Sequence, residues 1–301
     1  MSVAPIALFV YNRPDHTLKT IEALSKNKLA SESVLYIFCD GPKNSTSLDA
    51  ITNVREIIRR PYGFKQVIIH EEPANKGLAN SVISGISKVL SEHNSVIVLE
   101  DDIVSSVDYL SFMNAALDKY KNNTTYFSIA GYSLPITVPD NYTLPVYSSY
   151  RGSSWGWAIW KDRWTTIDWE ISNREAFFKS SKMQFEFNKG GADLSNMLKR
   201  QLEGKIDSWA IRFAYNAYIQ GKLHITPIRS LTQNIGHDNS GVHSNKTDRY
   251  KVELWHWDAN EKLPDIVPIN PKIVNQIQKW YHKPFYRKWA LFWARKIGII
   301  K

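Results

Sequence analysis

The apolar run Ser95-Val96-Ile97-Val98-Leu99 ends abruptly in three carboxylates, Glu100-Asp101-Asp102, and this stretch constrains the fold more than any other. Four consecutive apolar residues, three of them β-branched, fit a strand buried on both faces, the kind found inside parallel sheets. If that strand continued through the acids, alternation would send Glu100 and Asp102 to one side and Asp101 to the other. Two like charges on one side are costly unless a cation or a hydrogen-bonding ligand joins them. A divalent metal carrying a phosphorylated substrate would be such a partner. The competing structural reading has the acids cap the helix expected from about Val107.

The first half of the chain alternates such runs with helical periodicity. Strands are expected at Ile6 to Val10, Val34 to Cys39, Gln66 to His70 and Val96 to Leu99, with helices over Pro14 to Ser25, Leu48 to Arg59 and Gly77 to Ser91. The pattern predicts an α/β fold built on a mostly parallel sheet flanked by helices. A further strand is expected at Phe127 to Ala130, and helices near Ala192 to Leu202 and Asp207 to Gln220. Between them the composition shifts to Tyr, Trp, Ser and Pro, an aromatic-rich elaboration of the same sheet. The expected division is 1–130, 131–265 and a basic aromatic tail over 266–301.

A chain of 301 residues with 43% hydrophobic side chains can bury a sizeable core. Its one cysteine, Cys39, sits in an apolar run and reads as a buried small hydrophobe, which excludes an internal disulfide framework and fits a reducing compartment. The start lacks a basic region before its apolar stretch, so it reads as a first strand, and no run is long enough to span a bilayer. Of the net charge of +9, eight positive charges lie beyond Asp265, where no acid occurs. A basic groove through the body is therefore absent, which argues against nucleic acid as a partner.

In an open parallel sheet, ligands bind beyond the carboxyl ends of the strands. Asn12-Arg13, Asp40, Asn75-Lys76 and the three acids all fall there. Arg13 could meet a phosphate or a base, and Asp40 a ribose hydroxyl or a base N–H. The chain has no Gly-x-x-x-x-Gly-Lys-Ser/Thr loop and no Gly-x-Gly-x-x-Gly after the first strand, so ATPase and dinucleotide readings lose their support. Asp207 opens a helix, where its default role is an N-cap, and it is also the carboxylate available for general-base work. His237 and His243 flank a polar loop suited to closing over a substrate. Trp155, Trp157, Trp160 and Trp164 read as core, though aromatic faces also stack on sugar rings.

Taken in their order along the chain, these segments resemble the GT-A fold glycosyltransferases, in particular the N-acetylglucosaminyltransferase I type and its bacterial relatives. The resemblance runs from about Ile6 to His243. It rests on Asn12-Arg13 and Asp40 after the first two strands, on Glu100-Asp101-Asp102 as the metal motif, and on Gly152 to Trp157. Ile206-Asp207-Ser208-Trp209 matches a Trp-Asp-Asp-Trp segment, and Gly241-Val242-His243 a closing loop. It implies an inverting, metal-dependent transfer of a sugar from a nucleotide diphosphate donor, a UDP-sugar being favoured. On this resemblance Asp102 would bind Mn²⁺ or Mg²⁺, and Glu100, Asp101, Asn12, Arg13, Asp40, Lys76 and His243 would serve the nucleotide sugar. The family's second aspartate of its segment aligns with Ser208, which leaves Asp207 as the candidate base.

The tail segment Pro284 to Lys296 sets Phe285, Trp289, Phe292 and Trp293 among basic residues, the make-up of an interfacial helix on anionic lipid. The alternative is a terminal helix packed on the body with snorkelling basic stems. With a membrane-bound enzyme, the expected acceptor is a glycan or lipid-linked glycan of bacterial surface polysaccharide or lipopolysaccharide assembly, at the inner face of the plasma membrane. Two other classes compete with a transferase. A nucleotidyltransferase making nucleotide sugars would carry a Gly-rich, Arg-containing loop at Tyr11 to His16, which is missing. A carbohydrate-binding protein would have no use for the triple acid.

Overall fold

The computed structural model of the chain describes residues 3–238 and 247–282. Its first half is β1 (Ile6–Val10), α1 (Pro14–Ser25), β2 (Val34–Cys39), α2 (Leu48–Ile58), β3 (Gln66–Glu71), α3 (Leu78–Glu92) and β4 (Ser95–Glu100). There follow β5 (Ile103–Ser105), α4 (Tyr109–Tyr120), β6 (Tyr126–Ala130), β7 (Val146–Ser149) and β8 (Trp157–Trp160). Then come α5 (Lys161–Trp164), α6 (Arg174–Lys179), α7 (Ser181–Phe187), α8 (Leu194–Leu202), α9 (Trp209–Ile219), β9 (Leu223–Pro227), β10 (Thr232–Asn234) and α10 (Pro271–Tyr281).

Eight strands form one sheet in the order β3-β2-β1-β4-β8-β6-β9-β7. The first four are mutually parallel, β8 runs antiparallel between β4 and β6, β9 is parallel to β6, and β7 closes the edge antiparallel. This is the mostly parallel α/β sheet that the alternating pattern predicts. A small antiparallel pair, β5 with β10, stands beside it.

Alternation along the central strands divides the interior into two layers. Ile6, Leu8 and Val10 of β1 and Ile97 and Leu99 of β4 enter one core with α1, α2 and α4. Ala7, Phe9, Val96 and Val98 enter the other with α3 and α9. Burial on both faces is what a strand made only of apolar residues requires, and truncating a side chain such as Leu99 to Ala would cost about 2–5 kcal/mol. In α3, a Cβ at Gly85 would come 2.7 Å from the Phe9 ring, so the close approach of this helix to the sheet depends on glycine. Cys39 is fully buried and its thiol is pushed up by that burial, as a small hydrophobe would be.

The stretch assigned to the tail from 266 is in part body. α10 is capped by Asn270, whose side chain accepts from the amides of Lys272 and Ile273, and Pro271 suits its first turn. Ile273 and Ile277, one turn apart, bury their shared face against Tyr147. The interfacial helix expected over Pro284 to Lys296 lies outside the described residues. No described helix is long and apolar enough to cross a membrane.

Candidate active site

β4 stops at Glu100, one residue into the acids, and the chain turns through Asp101 and Asp102 before β5. Strand alternation therefore does not separate the two aspartates as the sequence pattern suggests. Both meet Arg13. Its Nη2 donates to Asp101 Oδ1 and, at 3.0 Å, to Asp102 Oδ2. The reason lies in the register: β1 and β4 are neighbours, with Phe9 opposite Glu100, so the turns leaving the two strands come together. Thr20 Oγ1 donates to the Asp101 carbonyl at 2.8 Å, and the Ile235 amide to the Asp102 carbonyl at 2.9 Å, fixing the acid turn from both sides.

Asp102 Oδ1 is buried and has no hydrogen-bond partner. Gly236 packs directly over this carboxylate, where a Cβ would come 2.2 Å from Asp102 Oδ2 and 2.8 Å from Arg13 Nη1. Burial alone would lower the Arg13 pKa, but the charges of Asp101 and Asp102 outweigh it and raise it. Glu100, half-buried, is pushed up to about 8, first by desolvation and then by Asp102 and Asp101, while the charge of Arg13 and an indole hydrogen bond from Trp209 oppose the shift.

Asp40 occupies a different position from the one expected of a nucleotide ligand. Oδ1 accepts from the Gly41 and Lys76 amides, each at 2.9 Å, and Oδ2 from Asn75 Nδ2 at 2.9 Å and the Gly77 amide at 3.1 Å. All its usual acceptor positions are taken within the chain, so Asp40 shapes the 75–77 loop and keeps none for a ribose. Lys76, whose amide it fixes, is exposed and reaches Glu72 at 2.5 Å. Asn12 lies half-buried just past β1.

Asp207 is not the N-cap of α9. That role belongs to Ser208, whose Oγ accepts from the Ile211 amide at 3.3 Å. Freed from capping, the Asp207 side chain is 60% exposed, 3.8 Å from Arg212. A Cβ on Gly77 would lie 3.5 Å from Asp207 Oδ2, so the structure brings this carboxylate to the loop that Asp40 holds. Next in sequence, Trp209 stacks on Trp157 with ring centroids 5.0 Å apart.

A cleft of about 1000 Å³ opens beside these groups, its wall including Ser208 on one side and His237 on the other. The four tryptophans of the Trp155 group separate here: Trp157, Trp160 and Trp164 are core, whereas Trp155 lines the cleft. Trp155 meets Tyr132, His237 and Tyr250 at centroid distances of 4.5, 5.3 and 5.3 Å. His237 keeps both ring nitrogens buried without a hydrogen-bond partner. Sequence reasoning missed Arg151, which pairs with Asp193 through two hydrogen bonds of 2.8 and 3.1 Å, and also Tyr250 and Trp280. These come from segments with no local motif, joined only by folding. His243 lies outside the described residues.

Hard divalent cations bind through one or two carboxylates completed by phosphate oxygens and water. The orphaned Asp102 Oδ1 fits one such position, while Arg13 holds Asp102 Oδ2 and Asp101 Oδ1. Among the described residues no group of three or more His, Cys, Asp or Glu could hold a metal ion. At the acid turn the described residues thus offer a single buried, unpartnered carboxylate oxygen and no all-protein cage.

No protein-family model matches the chain, and no curated protein matches it. Among solved structures it is similar to S. aureus TarS 1–349, at 10% identity and a TM-score of 0.42, over 76% of this chain and 59% of that one. The same fragment in complex with UDP-GlcNAc is similar at 11% identity and a TM-score of 0.42, over 76% and 57%. A longer S. aureus TarS structure is similar at 10% identity and a TM-score of 0.43, over 76% and 36%. The chain thus spans less than two thirds of the length of each.

Proposed function

We propose that the protein is a glycosyltransferase using a nucleotide diphosphate sugar, with UDP favoured, and acting by inversion. The observation that carries this reading is the orphaned Asp102 Oδ1 beside Arg13, at the carboxyl ends of parallel strands and next to an aromatic cleft. Asp102 would hold Mn²⁺ or Mg²⁺, which when bound supplies neutralisation of the charge that develops on the leaving diphosphate. Arg13 balances the aspartates. Asp101 and Glu100 fix that turn, and Asn12 and Lys76 border the nucleotide space. Asp40 acts on the donor indirectly, through the loop it clamps.

The acceptor lies in the cleft, its sugar faces against Trp155 and Tyr250. Asp207 takes the proton of the attacking acceptor hydroxyl as the new glycosidic bond forms, and the bond from the anomeric carbon to the diphosphate oxygen breaks on the opposite face. Its exposure at the rim, beside the loop from 75 to 77, leaves it open to an incoming hydroxyl. His243, by the family resemblance, would serve the nucleotide sugar. The acceptor is a glycan or a lipid-linked glycan of bacterial surface polysaccharide, presented at the inner membrane face where the basic residues beyond 282 meet anionic lipid.

A panel of nucleotide sugars, each incubated with Mn²⁺ and then with EDTA, tests this reading. Release of nucleoside diphosphate from one of them, abolished by EDTA, is the expected result. Pyrophosphate release from a sugar phosphate and a nucleoside triphosphate would make the protein a nucleotidyltransferase, and glycan binding indifferent to EDTA with no turnover would make it a binding protein.

A further inference from the structure

We infer that the cleft takes a sugar bearing an anionic group, a phosphate or a carboxylate. Three cationic side chains, Arg151, Arg249 and Lys279, line it against one carboxylate, Asp193. Asp193 is consumed by its two hydrogen bonds with Arg151. Arg249 and Lys279 have no carboxylate within ion-pair distance among the described residues. Lys279 belongs to the basic stretch beyond Asp265, whereas Arg151 and Arg249 lie in the nearly charge-balanced part before it.

The cations are oriented. Arg249 donates to the Trp280 carbonyl, and its guanidinium lies over the Trp280 ring at 4.8 Å. The Arg151 guanidinium lies 3.7 Å from the Tyr281 ring centroid. Lys279 is adjacent in sequence, so all three charges gather where α10 ends. Stacking on an aromatic ring holds a guanidinium in place, and for Arg249 one Nη goes to the Trp280 carbonyl while the rest of its edge faces no carboxylate among the described residues.

His237 supplies a separate pointer. Both its ring nitrogens are buried without a partner, and its ring is stacked on Tyr250 with centroids 5.0 Å apart. An anionic oxygen would accept from the imidazole, satisfying a group that the protein leaves alone. The aromatic walls at Tyr132 and Trp155 offer faces to a sugar ring, so the ligand that satisfies the whole cleft joins a sugar ring to an anion. Calling this ligand the acceptor rests on the proposed transfer reaction; its binding does not.

Titration of the full chain, followed by the fluorescence of its tryptophans, tests the inference without any nucleotide. The probes are glucose, glucose 6-phosphate, glucuronate and inorganic phosphate, each at low and raised salt. We expect at least one anionic sugar to bind about tenfold or more tightly than glucose, weakening with salt as exposed charge interactions do. The Arg249→Gln/Lys279→Gln variant should lose that preference while melting as the wild type does. Should the variant fail to fold, the wild-type comparison of probes and salts decides alone. Equal binding of glucose and the anionic sugars, no binding of either anionic sugar, or inorganic phosphate binding as tightly as glucose 6-phosphate would overturn it, as would a folded variant that keeps the preference. Because no donor is present, this outcome is independent of nucleoside diphosphate release.

Discussion

Arg13 holds one oxygen of Asp102 at 3.0 Å and leaves the other buried and alone. Removing the guanidinium without shortening the chain, as in Arg13→Met, strands two neighbouring carboxylates. Breaking a buried ion pair by deleting one partner costs about 3–5 kcal/mol, and the 18% exposure of the Arg13 side chain puts the expected loss near the lower end. A divalent cation would replace the missing charge. Thermal melts of Arg13→Met should therefore show a lower transition that Mn²⁺ raises by more than it raises the wild type; an equal Mn²⁺ effect on both would count against the pairing of cation and acid turn.

Asp40→Asn exchanges one acceptor oxygen for an amide that must face a backbone N–H. Oδ1 and Oδ2 each receive one amide of the pair Lys76 and Gly77, so either orientation of asparagine leaves one of them without its acceptor. The cost is about 1–3 kcal/mol for an unsatisfied buried group. Hydrogen exchange at residues 76 and 77 should accelerate in the variant, and an unaltered exchange pattern would remove the clamp from the account.

His224 is fully enclosed, its Nδ1 2.7 Å from Ser128 Oγ and its Nε2 without a partner. Burial drives its pKa down to about 3 from 6.5. The folded ring stays neutral while the unfolded ring takes up a proton, so its contribution is intact above about pH 6.5 and is lost as pH falls toward 3. Between pH 6.5 and 5 the expected loss is about 2 kcal/mol. Urea unfolding of wild type and His224→Gln across that range should give a shallower pH slope in the variant, whatever its stability at neutral pH; parallel slopes would contradict a buried neutral imidazole.

The first four strands and three helices were legible because each carries its own periodicity; β1, β2 and α1 begin and end where the pattern says. β8 was not. Trp157-Ala158-Ile159-Trp160 is short and aromatic, and its antiparallel insertion between β4 and β6 is set by partners distant in sequence. α10 was read as tail because its two buried isoleucines sit among polar and basic residues. At the site, strand ends marked Arg13 and the acids, but their pairing spans 88 and 89 residues of sequence. Asp40 looked like a ligand because its saturation depends on a loop 35 to 37 residues away. The cleft gathers residues from 132 to 282, and no local pattern announces it.

Asp207 precedes the cleft-lining Ser208, and its Oδ2 lies 3.5 Å from where a Cβ on Gly77 would stand. Asp207→Asn keeps the shape and removes the base. Transfer should fall by about a hundredfold or more while donor affinity is retained. Parallel measurements of turnover and donor binding check this, and near-normal turnover would assign the proton to another group.

Calorimetric titration of a nucleotide sugar that the panel identifies as a substrate, into wild type and Asp102→Ala with Mn²⁺ and with EDTA, tests the central claim most directly. The account predicts that the wild type binds with Mn²⁺ and loses most of that affinity in EDTA, and that Asp102→Ala binds weakly in both. Equal Mn²⁺-dependent binding by the two proteins would contradict it.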